Sequence, residues 1–233
     1  MKIYPEKLQA HLKNPLMPVY VISGDEPLLS QECADAIRIA AREQGFTERE
    51  LFHFEGSAQQ FDWDPLINEA NSLSLFSNKK ILELRIPGGK PGDKGSKALA
   101  EICANPNPDN LLLIILFKLD KGAKNSKWLK TLEAAGAHIQ VWPVDANQMP
   151  RWIGQRLRAA NINANQEAVQ ILADRVEGNL LAAVQEIEKL KLLAPEGAVD
   201  GTTMSSVVTD SARYNIFEFV DKILLGDAQS AAK

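Results

Sequence analysis

The chain has 233 residues, of which 45% are hydrophobic and 24% charged, and it carries a net charge of −4. Those values describe a globular protein of one large domain or two smaller ones. The negative balance argues against unaided binding of nucleic acid, which draws on an excess of Lys and Arg.

In chain order, the opening Met1-Lys-Ile-Tyr-Pro-Glu-Lys7 lacks the apolar stretch of an export signal. No run anywhere reaches the roughly 18 apolar residues of a membrane span. Val19–Ser23 reads as a short apolar strand and residues 27–44 as the helix after it. Further strands are expected at 51–55, 80–86, 111–117 and 138–142, separated by helices at 62–72, 95–104 and 125–135. The run Leu111-Leu-Leu-Ile-Ile-Leu-Phe117 is apolar at every position, as a strand covered on both faces must be. The strands at 51–55 and 80–86 alternate more and are expected nearer an edge. This alternation predicts an α/β fold with a five-stranded, parallel, doubly wound sheet. After Pro143 only helical periodicity remains, at 148–160, 165–176, 179–193, 201–209 and 214–226. It predicts a small helical bundle beginning near 143–147. The apolar helix at 214–226 has little chain after it to bury against. Either it packs back or a third domain has been cut short, and the cut is the expectation.

The turn Gly24-Asp25-Glu26-Pro27-Leu28-Leu29 sits where a strand–loop–helix would cradle a phosphate. Such a cradle needs several glycines, a lysine and a metal-binding hydroxyl. This turn has one glycine, no lysine and two acids whose charge repels phosphate. A second loop, Pro87-Gly-Gly-Lys-Pro-Gly-Asp-Lys-Gly-Ser96, places Lys94 before Gly95 and loses an amide to Pro91, so it reads as a surface loop. Glu83 and Asp120 each lack the second acid that would hold magnesium, so phosphoryl transfer has neither metal site nor cradle. His11, His53 and His138 have no ligand spacing and no hydrolytic set suggests itself. Cys33 and Cys103 read as buried thiols in a reducing compartment. Lys118, Lys121, Lys124, Lys127 and Lys130 form either a phosphate-tracking stripe or, more in keeping with an acidic protein, a solvated face. In Asn71-Ser-Leu-Ser-Leu-Phe-Ser-Asn78, two large apolar residues stand in a polar connection. Leu75 and Phe76 either staple the preceding helix to the sheet or enter a partner's pocket.

These pieces, in this order and spacing, resemble the delta-subunit family of bacterial DNA polymerase III, the clamp-opening member of the sliding-clamp loader. The resemblance covers nearly the whole chain. It runs from Tyr4-Pro-Glu-Lys-Leu-Gln9 through Gly24-Asp-Glu-Pro-Leu-Leu29, Ser74-Leu75-Phe76 and Pro150-Arg-Trp-Ile153 to Glu177-Gly-Asn-Leu-Leu-Ala182. It implies an AAA+-like fold: a RecA-like α/β domain over 1–143, a helical lid over 144–211, and from 212–233 the start of a truncated C-terminal collar. It also implies no working nucleotide site and no cofactor or metal, in line with Gly24, Asp25, Glu26 and Pro27. Active AAA+ lids carry an arginine shortly after the glycine that opens their third helix, whereas Gly178-Asn179 is followed here by Leu180-Leu181.

Clamp-binding segments of such families look like Gln-x-x-Ser-Leu-Phe. Leu73, Ser74, Leu75 and Phe76 fit the apolar part, with Asn71 or Ser72 in place of the glutamine. The resemblance thus turns Leu75 and Phe76 from staple to clamp anchor. The implied partners are the sliding clamp (beta subunit) and the gamma/tau and delta prime subunits, with primer-template DNA met only inside the complex and no membrane. The implied role is a cytoplasmic, non-catalytic component of a DNA-directed DNA polymerase holoenzyme. Two rivals remain: an ATPase with a divergent loop, opposed by Asp25 and Glu26, and a DNA-binding module using the lysine stripe, opposed by the net charge.

Overall fold

A parallel strand that is apolar at nearly every position needs a layer on each face, and the chain supplies both around Asn110–Leu116. The computed structural model describes residues 1–53, 61–72, 79–88, 90–193 and 198–211. It divides into two compact units, Met1–Pro143 and Val144–Lys233. The first runs β1 (Lys2–Ile3), α1 (Pro5–His11), β2 (Val19–Ser23), α2 (Pro27–Glu43), β3 (Phe46–His53), α3 (Asp64–Asn71), β4 (Lys79–Ile86), α4 (Gly92–Ala104), β5 (Asn110–Leu116), α5 (Lys121–Lys124), α6 (Lys127–Ala135) and β6 (Ala137–Gln140).

The strands form one parallel sheet in the order β1-β6-β2-β5-β4-β3. On one face α1 and α2 bury Leu8, Leu12, Ala34 and Ile37 against Tyr20, Ile22, Leu111 and Leu113. On the other, α3, α4 and α6 bury Leu66, Leu99, Trp128 and Leu132 against Val21, Leu84 and Ile114. Each fully buried Leu or Ile contributes about 1.5–3 kcal/mol. Gly136, between α6 and β6, has no room for a side chain, since a Cβ would lie 1.9 Å from the Val19 carbonyl oxygen.

The α/β class and the parallel sheet are as the sequence predicts, with one strand more than the expected five. The addition is β1, whose two residues pair with β6 and are too few to show a pattern. β3 begins at Phe46 rather than 51, because its polar stretch Thr47, Glu48, Arg49 and Glu50 lies wet at the sheet edge. Residues 54 and 55, expected to end that strand, lie outside the described residues. β4, expected near an edge, lies one strand in from it and is largely buried.

The second unit contains a 3-10 turn (Ala146–Gln148), α7 (Met149–Ala159), β7 (Asn163–Ala164), α8 (Gln166–Val176), α9 (Leu180–Leu193), β8 (Ala198–Val199) and α10 (Gly201–Ser211). Asn165 caps α8 by accepting from the Ala168 amide at 2.8 Å. Glu177 and Gly178, at φ 46° and 87°, end that helix in the left-handed conformation. The β7–β8 ladder was not legible from helical periodicity. The helix expected at 214–226 lies outside the described residues.

One charge lies inside the first unit. Glu83, in the middle of β4, is 0% exposed. Arg38 of α2 donates to both its carboxylate oxygens at 2.9 Å, Arg49 of β3 donates to Oε2 at 2.9 Å, and Arg85 of β4 donates to Oε1 at 2.8 Å. Burial pushes this carboxyl up, but the three guanidiniums outweigh it and hold the pKa below 4.5. Glu83→Gln would leave the guanidiniums around a neutral amide and is expected to remove about 3 kcal/mol of stability at neutral pH, read from the urea midpoint. A group with a depressed folded pKa stabilises fully above its unfolded value and loses that contribution as pH falls through the folded value. The acid-side loss belonging to Glu83 is therefore expected to vanish in the variant.

Candidate functional site

The carboxyl ends of β2, β4 and β5 and the N-terminus of α2 enclose a cleft of about 240 Å³. In open α/β sheets this is the place where ligands bind. Its walls include Pro27, Ile86, Pro87 and Phe117, and its polar groups are Asp25, Ser30, Gln31, His53 and Arg85. The turn after β2 has its path fixed by a close approach, because a Cβ on Gly24 would lie 2.4 Å from the Val141 carbonyl oxygen.

Both acids of that turn are engaged within the chain. The Glu26 carboxylate turns onto α2 and accepts from the Leu28 amide at 3.1 Å, capping the helix end that would otherwise face a phosphate. Asp25 Oδ2 meets Lys118 Nζ, beyond β5, at 2.6 Å. That hydrogen bond holds the Asp25 carboxyl below its usual range. Pro27 occupies the first helical turn and brings no amide hydrogen. The Asp25 Oδ1 and Ser30 Oγ atoms are buried and have no hydrogen-bond partner among the described residues. β4 ends in Arg85-Ile86-Pro87 rather than in acids, and no group of His, Cys, Asp and Glu among the described residues could hold a metal ion.

The second loop is shorter than expected. α4 starts at Gly92 rather than 95, Lys90 pairs with Asp120 at 2.6 Å, and Gly95 abuts the Trp63 ring. The lysines of the stripe differ in their surroundings. Lys118 is bound to Asp25 and Lys124 lies 4.6 Å from the Trp142 ring, while Lys121, Lys127 and Lys130 are exposed. In the second unit, α9 opens with buried Leu180 and exposed Leu181 after Gly178-Asn179.

Spacing gave no hint of a set that the fold assembles. Ser23 of β2 lies 2.8 Å from His138 Nε2 on β6, and His138 Nδ1 lies 2.7 Å from Glu133 on α6. The order matches a hydrolytic triad, but Ser23 is 1% and His138 3% exposed, and neither lines the cleft. Burial pushes the His138 pKa below 6.5 against the opposing pull of Glu133. A neutral ring then donates to Glu133 and accepts from Ser23, tying two strands to a helix.

The candidate clamp-binding residues Leu73, Ser74, Leu75 and Phe76 lie outside the described residues. Their flanks are held. The Ser72 hydroxyl donates to the Glu69 carbonyl at 2.9 Å and Asn107 donates to the Ser72 carbonyl at 3.1 Å, while Lys79 starts β4.

A family model described as DNA polymerase III, delta subunit, matches residues 20–141. The chain is 34% identical over 235 residues to the DNA polymerase III subunit delta of Haemophilus influenzae, covering 100% of this chain and 67% of that protein. The chain belongs to this family. The Escherichia coli relative of the same description is 32% identical over 231 residues, 99% of this chain and 66% of its own length. The chain thus spans about two thirds of the length of these relatives. Among solved structures, the DNA clamp loader delta protein of Bacillus subtilis has a TM-score of 0.66 at 21% identity, covering 98% of this chain and 69% of that one. Thermotoga maritima RuvB reaches 0.51 at 12% identity, covering 88% and 67%. Both show the fold, which is AAA+-like.

Two outcomes follow from the cleft and the buried histidine. Magnesium-ATP is expected to leave the melting temperature unchanged, because the chain's own carboxylates hold the phosphate region; a dissociation constant near about 10 μM would contradict this. His138 has a folded pKa below its unfolded value, so its contribution is complete above pH 6.5 and declines as pH falls from there. In His138→Gln that part of the stability–pH curve is expected to flatten, as measured by urea unfolding across the acid range.

Proposed function

We propose that the chain is the clamp-opening arm of a bacterial clamp loader. It binds the sliding clamp (beta subunit) through Leu73, Ser74, Leu75 and Phe76 and springs the ring for loading onto primed DNA. The match to relatives described as DNA polymerase III subunit delta, along essentially the entire chain, carries this reading. The cleft supports it by its chemistry, since Asp25 and Glu26 stand where an ATPase would hold phosphate. Force comes from binding: only an anchor with higher affinity for the sprung ring than for the closed one shifts the ring's equilibrium. ATP chemistry then belongs to the gamma/tau subunits, with delta prime completing the loader and primer-template DNA met inside the assembly. The chain itself needs no cofactor and takes part as a non-catalytic component of the polymerase holoenzyme.

In this reading residues 1–143 form the RecA-like domain that carries the anchor, 144–211 the lid, and 212–233 the start of the collar. The working place is the cytoplasm, and no described helix is long and apolar enough to cross a membrane.

The decisive measurement is the double substitution Leu75→Ala and Phe76→Ala. Anchors of this type cost about 2–4 kcal/mol each when truncated, so clamp affinity is expected to fall by a few orders of magnitude while the melting temperature holds. Core staples would instead cost about 2–5 kcal/mol of folding stability each. A variant that melts far lower yet binds clamp normally would sink the proposal.

A further inference from the structure

The face of the sheet that carries α1 and α2 is open at its β3–β4 corner among the described residues. Leu51 is 48% exposed there, and the Arg49 and Arg85 side chains are 41% and 35% exposed. The register sets Leu51 beside Glu83 and His53 beside Arg85 on that face, with Arg38 and Asp35 of α2 along its border.

Three guanidiniums surround one carboxylate. Each nitrogen of Arg38 makes one bond, Nη1 to Asp35 and Nε and Nη2 to Glu83. Arg49 gives Glu83 its Nε–H, and Arg85 gives it the Nε and Nη2 side. Three arginines against Glu83 and Asp35 leave the corner at +1, on a chain whose net charge is −4.

A buried ion cluster is a poor stability device, since apolar residues of similar volume hold a core at least as well. What Glu83 does achieve is to fix two partly exposed guanidinium forks, which then lose little freedom on forming further bonds. Beside them lies apolar surface: Leu51 within the corner, and Pro87 and the 54% exposed Phe117 along the cleft that Arg85 also lines.

We propose that this corner docks an acidic segment of a partner protein. Its carboxylates lie on the Arg49 and Arg85 forks, and an apolar side chain spaced between them covers Leu51. A phosphate backbone fits less well, because it has no aliphatic group to lay between the forks over exposed Leu51. The surface is independent of the clamp anchor, and its test uses no clamp.

The test is fluorescence anisotropy of a short labelled peptide of alternating glutamate and leucine, titrated with the whole chain. Saturable binding is expected. It should weaken about tenfold or more in the double variant Arg49→Ala/Arg85→Ala, as charged hydrogen bonds are removed. The same peptide with glutamine for glutamate should bind as weakly. No saturable binding, unchanged affinity in the variant, equal affinity for the glutamine peptide, or tighter binding of oligothymidylate would each overturn the proposal. If the double variant no longer melts cooperatively, Arg49→Gln replaces it, leaving Arg38 and Arg85 on Glu83. That variant too must bind the acidic peptide more weakly, and unchanged affinity would overturn the proposal.

Discussion

The burial of β5 on both faces is the constraint from which the first unit follows. A parallel strand of this kind admits neighbours only through crossover helices, and those helices must lie on both sides of the sheet. Every strand-to-helix turn then falls at one edge of the sheet and every helix-to-strand connection at the other. The cleft is built from the first set, after β2, β4 and β5. The connection from α3 to β4 belongs to the second set, with Ser72 and Lys79 as its described ends. The cleft and the described ends of that connection, Ser72 and Lys79, therefore lie at opposite edges of the sheet.

Within that frame the chain uses its acids as internal ligands. Glu26 caps α2, Asp25 meets Lys118, and Glu83 gathers three arginines. In each case a carboxylate fills the coordination that a bound anion or a solvated surface would otherwise supply. Where a strand–loop–helix turn of this kind would hold a phosphate, side chains occupy the position.

The second unit repeats the lesson on a smaller scale. Its helices end where the local signals say: Asn165 starts α8, and the left-handed pair Glu177 and Gly178 stops it. After Gly178-Asn179, α9 opens with Leu180 and Leu181.

The sequence by itself determined the order and kind of the long elements. Hydrophobic period, Pro27 at a helix start and Gly178 past a helix end are local properties, and local properties survive without tertiary structure. The missing cradle was legible for the same reason, since the absence of a lysine after a glycine needs no coordinates. Two-residue strands such as β1 and the β7–β8 ladder were not legible, because they exist only when a distant partner supplies the hydrogen bonds. The wet start of β3 was hidden by its charges, and one of them, Arg49, proved to be a partner of Glu83. Only the tertiary structure decided where charge goes. Residues 23, 133 and 138, or 38, 49, 83 and 85, share no spacing that a pattern could reveal. They meet because the sheet order sets distant strands side by side, and the pairing of a buried charge is fixed by that proximity rather than by its neighbours in the chain.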